Sequence, residues 1–377
     1  MMNISRNTTG NTYFITADKD HSGKDFFMNK SFQIGTRRVG ESAPVFIVAE
    51  LSANHNQDYN RALEIVHAAK EAGADAVKLQ TYTADTITLD CDDDCFQIKE
   101  GTIWDGTTLY KLYQQAYTPW EWQPKLMEEA NRLGMECFSS PFDLTSVDFL
   151  EEMHVPAYKI ASYEINDIPM IRKIARLKKP IIFATGIAYP EDIERALSVC
   201  REEGNEDVIL LKCVSSYPTP YEAVNLRVIP TLQKTYDCLT GISDHTMGTI
   251  VSAGAVPLGA KMVEKHLTLK RSDGGPDSAF SMEPAEFKQM VDEIRILEKA
   301  LGSSEYVLTD TQKLEHGGSR SLFVVKDIAA GEALTSENIR SIRPGCGLHT
   351  MYYEEVLGRK AKHFLKKGTP LAWDLID

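Results

Sequence analysis

The sequence predicts a (β/α)8 barrel, the TIM-barrel fold, followed by a small second domain. Between residues 45 and 301, short apolar or β-branched runs alternate with amphipathic stretches at helical spacing, and after residue 318 short runs are punctuated by glycines. A doubly wound open sheet is the alternative, but no Gly-x-Gly-x-x-Gly follows any run, which favours the barrel. The eight strand-like runs are residues 45–51, 76–82, 135–139, 157–161, 181–185, 208–214, 238–243 and 262–267.

Four segments are expected along the chain. Residues 1–40 are a polar extension without apolar periodicity, expected to be mobile, in which Met28 is an alternative start. The barrel is expected over residues 41–303, with its clearest helices at 61–72, 119–133, 190–203 and 284–301. A polar linker follows over 304–318, and residues 319–377 are expected to form a compact, mixed β domain with little helix.

Composition restricts the partners and the compartment. The net charge of −13 argues against nucleic acid or an anionic membrane surface as a partner. No apolar run approaches the ~18 residues of a membrane span, and no signal peptide is recognised. Seven scattered cysteines suit a reducing cytoplasm. Cys91 and Cys95 flank three aspartates, which is interpreted as a solvated acidic loop rather than a metal site.

Two lysines interrupt strands that are otherwise apolar. Lys78 lies in the second run and Lys159 in the fourth, and a buried ammonium group requires an anionic partner. Active sites of such barrels lie at the carboxyl ends of the strands, so a substrate anion is favoured over a structural carboxylate as that partner. Hydroxyl groups suited to phosphate or carboxylate oxygens lie at neighbouring strand ends, at Ser140, Ser162 and Ser243.

Histidines mark the ends of the last two strands. His245 and His266 belong to neighbouring runs, so their imidazoles are expected to converge. Two histidines with an acid nearby and open positions suit a catalytic divalent ion better than a closed zinc site. The expected metal is Mn²⁺, with Mg²⁺ and Co²⁺ as alternatives, and two unrelated structural histidines are the competing interpretation.

Seven short segments together resemble the sialic acid synthase family. The similarity is colinear from about residue 40 to the C-terminus, and the motifs are specific jointly rather than singly. The first of them reads Ala-Glu-Leu-Ser-Ala-Asn-His where other members usually have Ala-Glu-Ile-Gly-x-Asn-His. This form is similar to the pseudaminic acid branch, as are residues 109–114 and 118–122. The seven segments are residues 49–55, 78–82, 137–142, 158–164, 216–219, 241–245 and 263–266.

The resemblance implies a reaction and an assembly. Phosphoenolpyruvate would condense with an acetamido sugar aldehyde, water would add, and phosphate would leave. For the pseudaminic acid branch the sugar would be 2,4-diacetamido-2,4,6-trideoxy-L-altrose. The implied fold is a (β/α)8 barrel followed by an antifreeze-like SAF domain. The implied assembly is a homodimer in which the small domain of one subunit caps the barrel of the other and contributes Arg343 to substrate binding.

The resemblance also assigns roles inside the barrel. Lys159, Glu50 and Glu164 would form the catalytic set, and the two glutamates are the candidates for proton transfer. The resemblance assigns Glu50 to contacts with sugar hydroxyls or on the metal side and leaves Glu164 beside the reacting carbons. Lys78 would bind phosphoenolpyruvate together with Lys159 and the serine hydroxyls. Further substrate contacts are assigned to Gln80, Ser215, Tyr217 and Asp277.

Two positions depart from the family pattern. Ala184 stands where the family often has serine, and Ser215 stands where some relatives have asparagine. Each change would weaken phosphoenolpyruvate binding or shift the sugar preference. N-acetylneuraminate or legionaminate synthesis is the alternative within the family, and a non-catalytic sugar-binding protein is the alternative of another class.

Overall fold

The computed structural model describes residues 5–6, 13–14, 28–99 and 101–377, and the chain divides into two compact units, Met1–Gly302 and Ser303–Asp377. Most of the first 27 residues of the extension predicted at residues 1–40 lie outside the described residues. Two short strands within it, Ser5–Arg6 and Tyr13–Phe14, pair antiparallel. No described helix is both long and apolar enough to cross a membrane.

The first unit contains a closed barrel of eight parallel strands, which confirms the predicted fold class. Each strand is hydrogen-bonded to the next, and β8 closes on β1 with His266 opposite Glu50. The strands are β1 (Phe46–Glu50), β2 (Ala76–Thr81), β3 (Glu136–Pro141), β4 (Tyr158–Ile160), β5 (Ile181–Ala184), β6 (Val208–Lys212), β7 (Leu239–Asp244) and β8 (Ala260–His266).

Helices surround the barrel and begin at recognisable caps. Asp58 caps the first by accepting from the backbone N–H groups of Asn60 and Arg61, and Asp143 caps the fifth in the same way. The helices of the first unit are α1 (Tyr59–Glu71), α2 (Ala84–Ile87), α3 (Leu109–Ala116), α4 (Gln123–Arg132), α5 (Leu144–Glu152), α6 (Ile168–Arg176), α7 (Pro190–Glu202), α8 (Val228–Tyr236), α9 (Ile250–Ala255) and α10 (Pro284–Leu301).

Successive side chains along each strand point alternately outward and inward, which gives the barrel two apolar layers. Ile47 and Ala49 on β1 pack outward with the helices, whereas Phe46 and Val48 pack inside the barrel. The inner layer is apolar only in the amino-terminal half of the barrel. Gly241 belongs to this interior, because a Cβ atom there would lie 2.4 Å from the carbonyl oxygen of Met262.

A hairpin closes the amino-terminal end of the barrel, which corrects part of the predicted extension. Strand Ser31–Ile34 pairs antiparallel with Arg37–Gly40, and Phe32, Ile34 and Val39 join the inner apolar layer. The expectation of a mobile segment up to residue 40 is therefore wrong for residues 31–40. Three apolar side chains among many polar ones were too few to show a periodicity.

The segment between β2 and α4 is longer than the other connections in the barrel. It contains short helices that were not predicted from the sequence. It contains α2, α3 and a short 3-10 helix, Asp94–Phe96. The acidic stretch around that 3-10 helix is exposed, and Asp94 pairs with Lys99. Trp104, in the same segment, donates from Nε1 to the carbonyl oxygen of Pro276, 2.9 Å away.

The second unit begins with α11 (Asp310–His316), an exposed helix within the stretch predicted as a linker. Strands β9 (Ser321–Val324) and β10 (Ile339–Ile342) pair antiparallel. A short helix, α12 (Tyr353–Val356), follows. The unit has its own apolar core, which includes Leu322, Ile328, Leu334, Ile339, Val356 and Leu365.

Candidate active site

Buried charges occupy the carboxyl half of the barrel interior. Lys78 Nζ on β2 lies 2.5 Å from Glu50 Oε2 on β1 and 3.4 Å from Glu264 Oε1 on β8. Lys159 Nζ on β4 lies 3.4 Å from the same oxygen of Glu264. None of these four residues is more than 4% exposed. Residues from four strands, distant in sequence, therefore form one lysine–carboxylate cluster.

The alternation of the strands explains this placement. On β1 the inward positions read Phe46, Val48 and Glu50, so this strand changes from apolar to polar as it approaches the mouth. On β8 the inward positions read Met262, Glu264 and His266. The polar residues at strand ends thus face one cavity, as the barrel fold requires of an active site.

Serine hydroxyls extend the lysine–carboxylate cluster. Ser140 Oγ accepts a hydrogen bond from Lys78 Nζ at 3.3 Å, and Ser243 Oγ donates to Glu264 Oε1 at 3.0 Å. Both serines are buried. The structure brings them beside the two lysines, where they can contact the same anion.

A second hydroxyl pair surrounds Gly186, just after β5. The Gly186 N–H donates to Ser162 Oγ at 3.2 Å. A Cβ atom at Gly186 would lie 2.3 Å from Ser215 Oγ and 2.6 Å from Ser162 Oγ, so only glycine allows both hydroxyls to approach. Ala184, two residues earlier, is buried and contributes no hydroxyl. The hydroxyl groups of Ser162 and Ser215 thus lie together, where an oxyanion could contact both.

Burial and the lysines set the charges of the cluster. Burial raises the pKa of Glu50 to about 7, although Lys78 opposes that shift. Burial also acts to raise the pKa of Glu264, but Lys159 and Lys78 outweigh it and lower the pKa to about 2. Burial lowers the pKa of Lys159, and Glu264 offsets this only in part. Glu264 is therefore a firmly ionised group between two cations, and an arriving substrate anion would share them.

Glu164 is an acid poised near neutrality. It lies in a 3-10 helix, Ser162–Glu164, directly after β4. Burial raises its pKa to about 7, while a hydrogen bond to its own backbone and the charge of Lys159 oppose the shift. Its Oε2 atom is buried and has no hydrogen-bond partner among the described residues. Such a carboxyl can hold or release a proton near physiological pH.

The two predicted metal-ligating histidines meet at the mouth. The ring centroids of His245 and His266 are 5.2 Å apart, and both residues are buried. His245 Nδ1 lies 3.1 Å from the carbonyl oxygen of Val214, which assigns the proton to Nδ1 and leaves Nε2 free. A backbone carbonyl on the second nitrogen is a common support for metal-ligating histidines.

The histidine pair fits a divalent ion that takes its other ligands from substrate or water. Burial and the charge of His245 lower the pKa of His266 well below its ordinary value, so that ring is neutral, and its buried Nδ1 has no hydrogen-bond partner in the described part of the chain. The pKa of His245 is raised, because Cys213 outweighs the effect of burial. In the described part of the chain, no three His, Cys, Asp or Glu side chains surround a common point. The acid expected beside the histidines is thus not in place as a third ligand.

Aromatic rings line the side of the mouth next to the histidines. The Tyr217 ring centroid lies 4.5 Å from that of His245 and 4.9 Å from that of Phe280, and Phe280 is 5.0 Å from His266. Trp104 contacts Tyr217 at 5.6 Å. The sequence singled out only Tyr217, because Trp104 and Phe280 reach the mouth from connecting segments whose course is set by tertiary structure.

A short polar chain joins three strand ends. Gln80 Nε2 donates to Ser52 Oγ at 3.3 Å, and Ser52 Oγ in turn donates to the Asp277 carboxylate. The Ala53 N–H donates to the same carboxylate at 3.2 Å. Burial raises the pKa of Asp277, and these donors only partly offset the rise. The predicted Gln80 and Asp277 are therefore linked through Ser52, which the sequence did not single out.

Arg343 belongs to the second unit. It follows β10 directly and is exposed. Its backbone neighbour Gly345 donates to the carbonyl oxygen of Gly317 at 3.0 Å, which ties this turn to the start of the unit. The predicted contact between Arg343 and substrate stays a prediction.

Comparison with known proteins agrees with this architecture. The model of the NeuB family matches residues 65–306, and that of the SAF domain matches residues 319–377. Pseudaminic acid synthase of Helicobacter pylori is 49% identical over 89% of this chain and 98% of its own. Pseudaminic acid synthase of Campylobacter jejuni is 46% identical over 87% and 95% of the two chains.

Solved structures show the same fold. The crystal structure of the N-acetylneuraminic acid synthetase from Leptospira borgpetersenii in complex with citrate is 30% identical, with a TM-score of 0.68. The similarity covers 77% of this chain and 96% of that one. Because a family model covers more than half of the chain and close relatives match it nearly end to end, the protein belongs to the NeuB family of sialic acid synthases.

Proposed function

We propose that the protein is a pseudaminic acid synthase, which condenses phosphoenolpyruvate with 2,4-diacetamido-2,4,6-trideoxy-L-altrose and water to give pseudaminic acid and phosphate. The observation that carries the proposal is the convergence of Lys78 and Lys159 on Glu264, beside His245 and His266 at one mouth of the barrel. The two pseudaminic acid synthases at 46–49% identity support the choice of sugar.

Phosphoenolpyruvate is a compact anion, and the cluster supplies what it needs. Lys78 and Lys159 neutralise its charge in a buried cavity where water does not screen the interaction. Ser140 and the hydroxyl pair around Gly186 would donate to its phosphate and carboxylate oxygens, and Ser243 would do so on exchanging its bond to Glu264 for one to the substrate. Fixed donors hold C3 of the enol toward the acceptor, which lowers the entropic part of the barrier.

A divalent ion, Mn²⁺ first with Mg²⁺ or Co²⁺ as alternatives, would be held by His245 and His266 and would polarise the acceptor aldehyde as a Lewis acid. Both rings must be neutral to bind it. The Val214 carbonyl fixes the His245 tautomer that leaves Nε2 available. Other ligands would come from substrate or solvent.

Proton transfer is assigned to Glu164. A bond forms between C3 of phosphoenolpyruvate and the aldehyde carbon, water adds at C2, and the C2–O bond to phosphate then breaks. Glu164, with its pKa raised to about 7 and a free carboxyl oxygen, serves as the acid and base for these protons. Lys159 stabilises the negative charge that develops on the departing phosphate. Glu50, paired with Lys78, holds that lysine in place.

The acceptor sugar is assigned to the polar and aromatic parts of the mouth. Asp277, Ser52 and Gln80 would bind its hydroxyl groups. Tyr217, Phe280 and Trp104 offer an apolar wall next to the histidines, suited to the methyl groups of a deoxy, acetamido sugar.

We further propose a cytoplasmic homodimer. Residues 41–303 would form the catalytic domain and residues 319–377 a cap that brings Arg343 of the partner subunit to the substrate. Large apolar side chains are exposed just after β5, β6 and β7, and a cap would cover them. They are Ile187, Tyr189, Tyr221 and Ile250. All seven cysteines are unpaired, which suits a reducing compartment.

An assay of acceptor choice tests the proposal. The protein is incubated with phosphoenolpyruvate, Mn²⁺ and one sugar, and released phosphate is measured. Release with the diacetamido-trideoxy-altrose and not with N-acetylmannosamine is the expected result. Release with N-acetylmannosamine or the legionaminate precursor alone would move the assignment to another branch. No release with any of the three sugars would favour a binding protein.

A further inference from the structure

A second buried ion pair lies just outside the active site. Lys265 Nζ on β8 is 2.7 Å from Asp244 Oδ2 on β7, and both side chains are 1% exposed. Asp244 and Lys265 are registered opposite each other across the two strands. Because side chains alternate, they point away from the cavity that receives Ser243 and Glu264. Neither residue has been given a role above.

Several further hydrogen bonds hold the pair in place. The Asp244 carboxylate accepts from Ser252 Oγ at 2.6 Å and from the Thr246 N–H and hydroxyl at 2.9 and 2.8 Å. Lys265 Nζ donates to the Thr246 carbonyl oxygen at 2.7 Å. The backbone on both sides of His245 is therefore tied to the residue that precedes His266.

Stability alone does not explain this arrangement. Two apolar side chains of similar volume would stabilise a buried position as well as an ion pair does, because desolvation offsets most of the attraction. A hydrogen-bonded ion pair, unlike an apolar contact, fixes the relative orientation of its partners. Here the hydrogen bonds of Lys265 to Asp244 and Thr246 restrain residues 244–246 relative to residue 265. His245 lies within the first of these segments and His266 directly follows residue 265, and their ring centroids are 5.2 Å apart.

We propose that the Asp244–Lys265 pair is a positioning element for the metal site, holding His245 and His266 at the spacing that a divalent ion requires. The inference rests on the proposed function, since it presumes that these histidines bind the metal. It predicts that the pair controls metal affinity without touching phosphoenolpyruvate.

The test is Mn²⁺ binding by calorimetry, with Mn²⁺ alone, to the full chain. In the double variant Asp244→Asn/Lys265→Met no buried charge is left unpaired. We expect it to bind Mn²⁺ about 10- to 100-fold more weakly, the range seen when supporting partners of metal ligands are removed. At saturating Mn²⁺ the KM for phosphoenolpyruvate should stay within twofold. An unchanged Kd for Mn²⁺ in the folded double variant would overturn the proposal.

Two controls separate the possible failures. Asp75→Asn/Arg295→Met removes an ion pair at the opposite end of the barrel and should leave Mn²⁺ binding unchanged. If His245→Ala does not weaken Mn²⁺ binding, the metal site itself is misassigned. If His245→Ala weakens Mn²⁺ binding but the double variant Asp244→Asn/Lys265→Met does not, only the positioning role is refuted. Should the double variant fail to fold, Ser252→Ala, which keeps both charges, decides: weaker Mn²⁺ binding supports the proposal and an unchanged Kd overturns it.

Discussion

The two ends of the barrel use charge in opposite ways. At the amino-terminal end, Asp75 binds Arg37 and Arg295 at 2.8 Å each, and both arginines remain about a third exposed. The interior there is apolar and closed by the hairpin of residues 31–40. At the mouth, by contrast, Lys78 and Lys159 are buried among carboxylates inside the barrel.

The difference separates stability from function. Partly exposed, well-paired arginines retain hydration and impose little cost on the folded state, while the apolar layer beneath them supplies stabilisation. Burying ammonium and carboxyl groups at the mouth raises the free energy of the folded state, and pKa values there depart from ordinary ones. Buried charged groups that lower stability in this way are typical of active sites. Substitutions at the mouth should therefore mainly change activity, and substitutions at the closed end should mainly change stability.

The largest effect is expected for Lys159→Met. Removing the ammonium group should lower kcat/KM by on the order of 10³-fold, because a buried donor to developing charge is lost. Glu264 keeps Lys78 and Ser243 as partners, so the fold should persist. Steady-state phosphate release and thermal unfolding measure the two outcomes. Arg295→Met at the closed end is the matched control and should lower the free energy of unfolding but not kcat. If kcat/KM of Lys159→Met stays within tenfold of the wild-type value, Lys159 does not belong to the active site.

Glu164→Gln should lower kcat and, at alkaline pH, raise the free energy of unfolding. Burial raises the folded-state pKa of Glu164 from 4.5 to about 7, so the native protein binds the proton more tightly than the unfolded chain does. Its contribution to stability is present below pH 4.5 and is lost as pH rises through 7. At pH 8 the variant should therefore be more stable, by on the order of 3 kcal/mol, yet kcat should fall ~10²- to 10⁴-fold.

Urea unfolding of both proteins from pH 5 to pH 8 checks the Glu164 prediction. Glu136→Gln is the control at the closed end, where the carboxylate accepts from the Thr36 N–H and hydroxyl at 2.8 and 2.6 Å. It should leave kcat unchanged. A Glu164→Gln protein with no stability gain at pH 8 would show that the carboxyl is not strained by burial.

A third substitution probes the closed end alone. Ile34→Ala removes a fully buried side chain from the hairpin and should lower the free energy of unfolding by about 2–5 kcal/mol. Because Ile34 lies at the end opposite the mouth, kcat at 25 °C should stay within twofold. Denaturant unfolding and phosphate release give the two numbers. A large fall in kcat in the folded protein would mean that the two ends are coupled.

The smallest effect concerns a missing hydroxyl at the mouth. Ala184→Ser supplies the group that the family often has after the fifth strand, and one added hydrogen bond should lower the KM for phosphoenolpyruvate ~2- to 10-fold. Ala184→Cys, which is close to serine in shape but is only a weak hydrogen-bond donor, is the control. An unchanged KM would indicate that Ser162 and Ser215 already satisfy the anion.

The two ends also differed in how well they could be predicted. All eight barrel strands were recognisable, because runs of β-branched and apolar residues are local signals. The lysines stood out for the same reason, as charges within apolar strands. The hairpin was missed, since its three inward side chains become apolar contacts only once the barrel lies beneath them.

Glu264 shows what local signals leave out. Its position on the eighth strand was visible, but not that one of its carboxylate oxygens lies between two lysines. Phe280 likewise reaches His266, and Trp104 reaches Tyr217, from connecting segments whose sequence shows no periodicity. The lysine contacts of Glu264 and the contact of Trp104 with Tyr217 each join residues more than 100 positions apart.

The sequence by itself determined the strands, the alternation that turns polar residues inward, and the family. Only the tertiary structure decided which charges meet, because closing β8 onto β1 brings Glu264 and His266 beside Glu50 and Lys78. The protonation states of the buried carboxyl groups follow from these contacts between strands. The pKa of about 2 for Glu264 and of about 7 for Glu50 arise from burial and from neighbours on other strands, and no local stretch of sequence contains either.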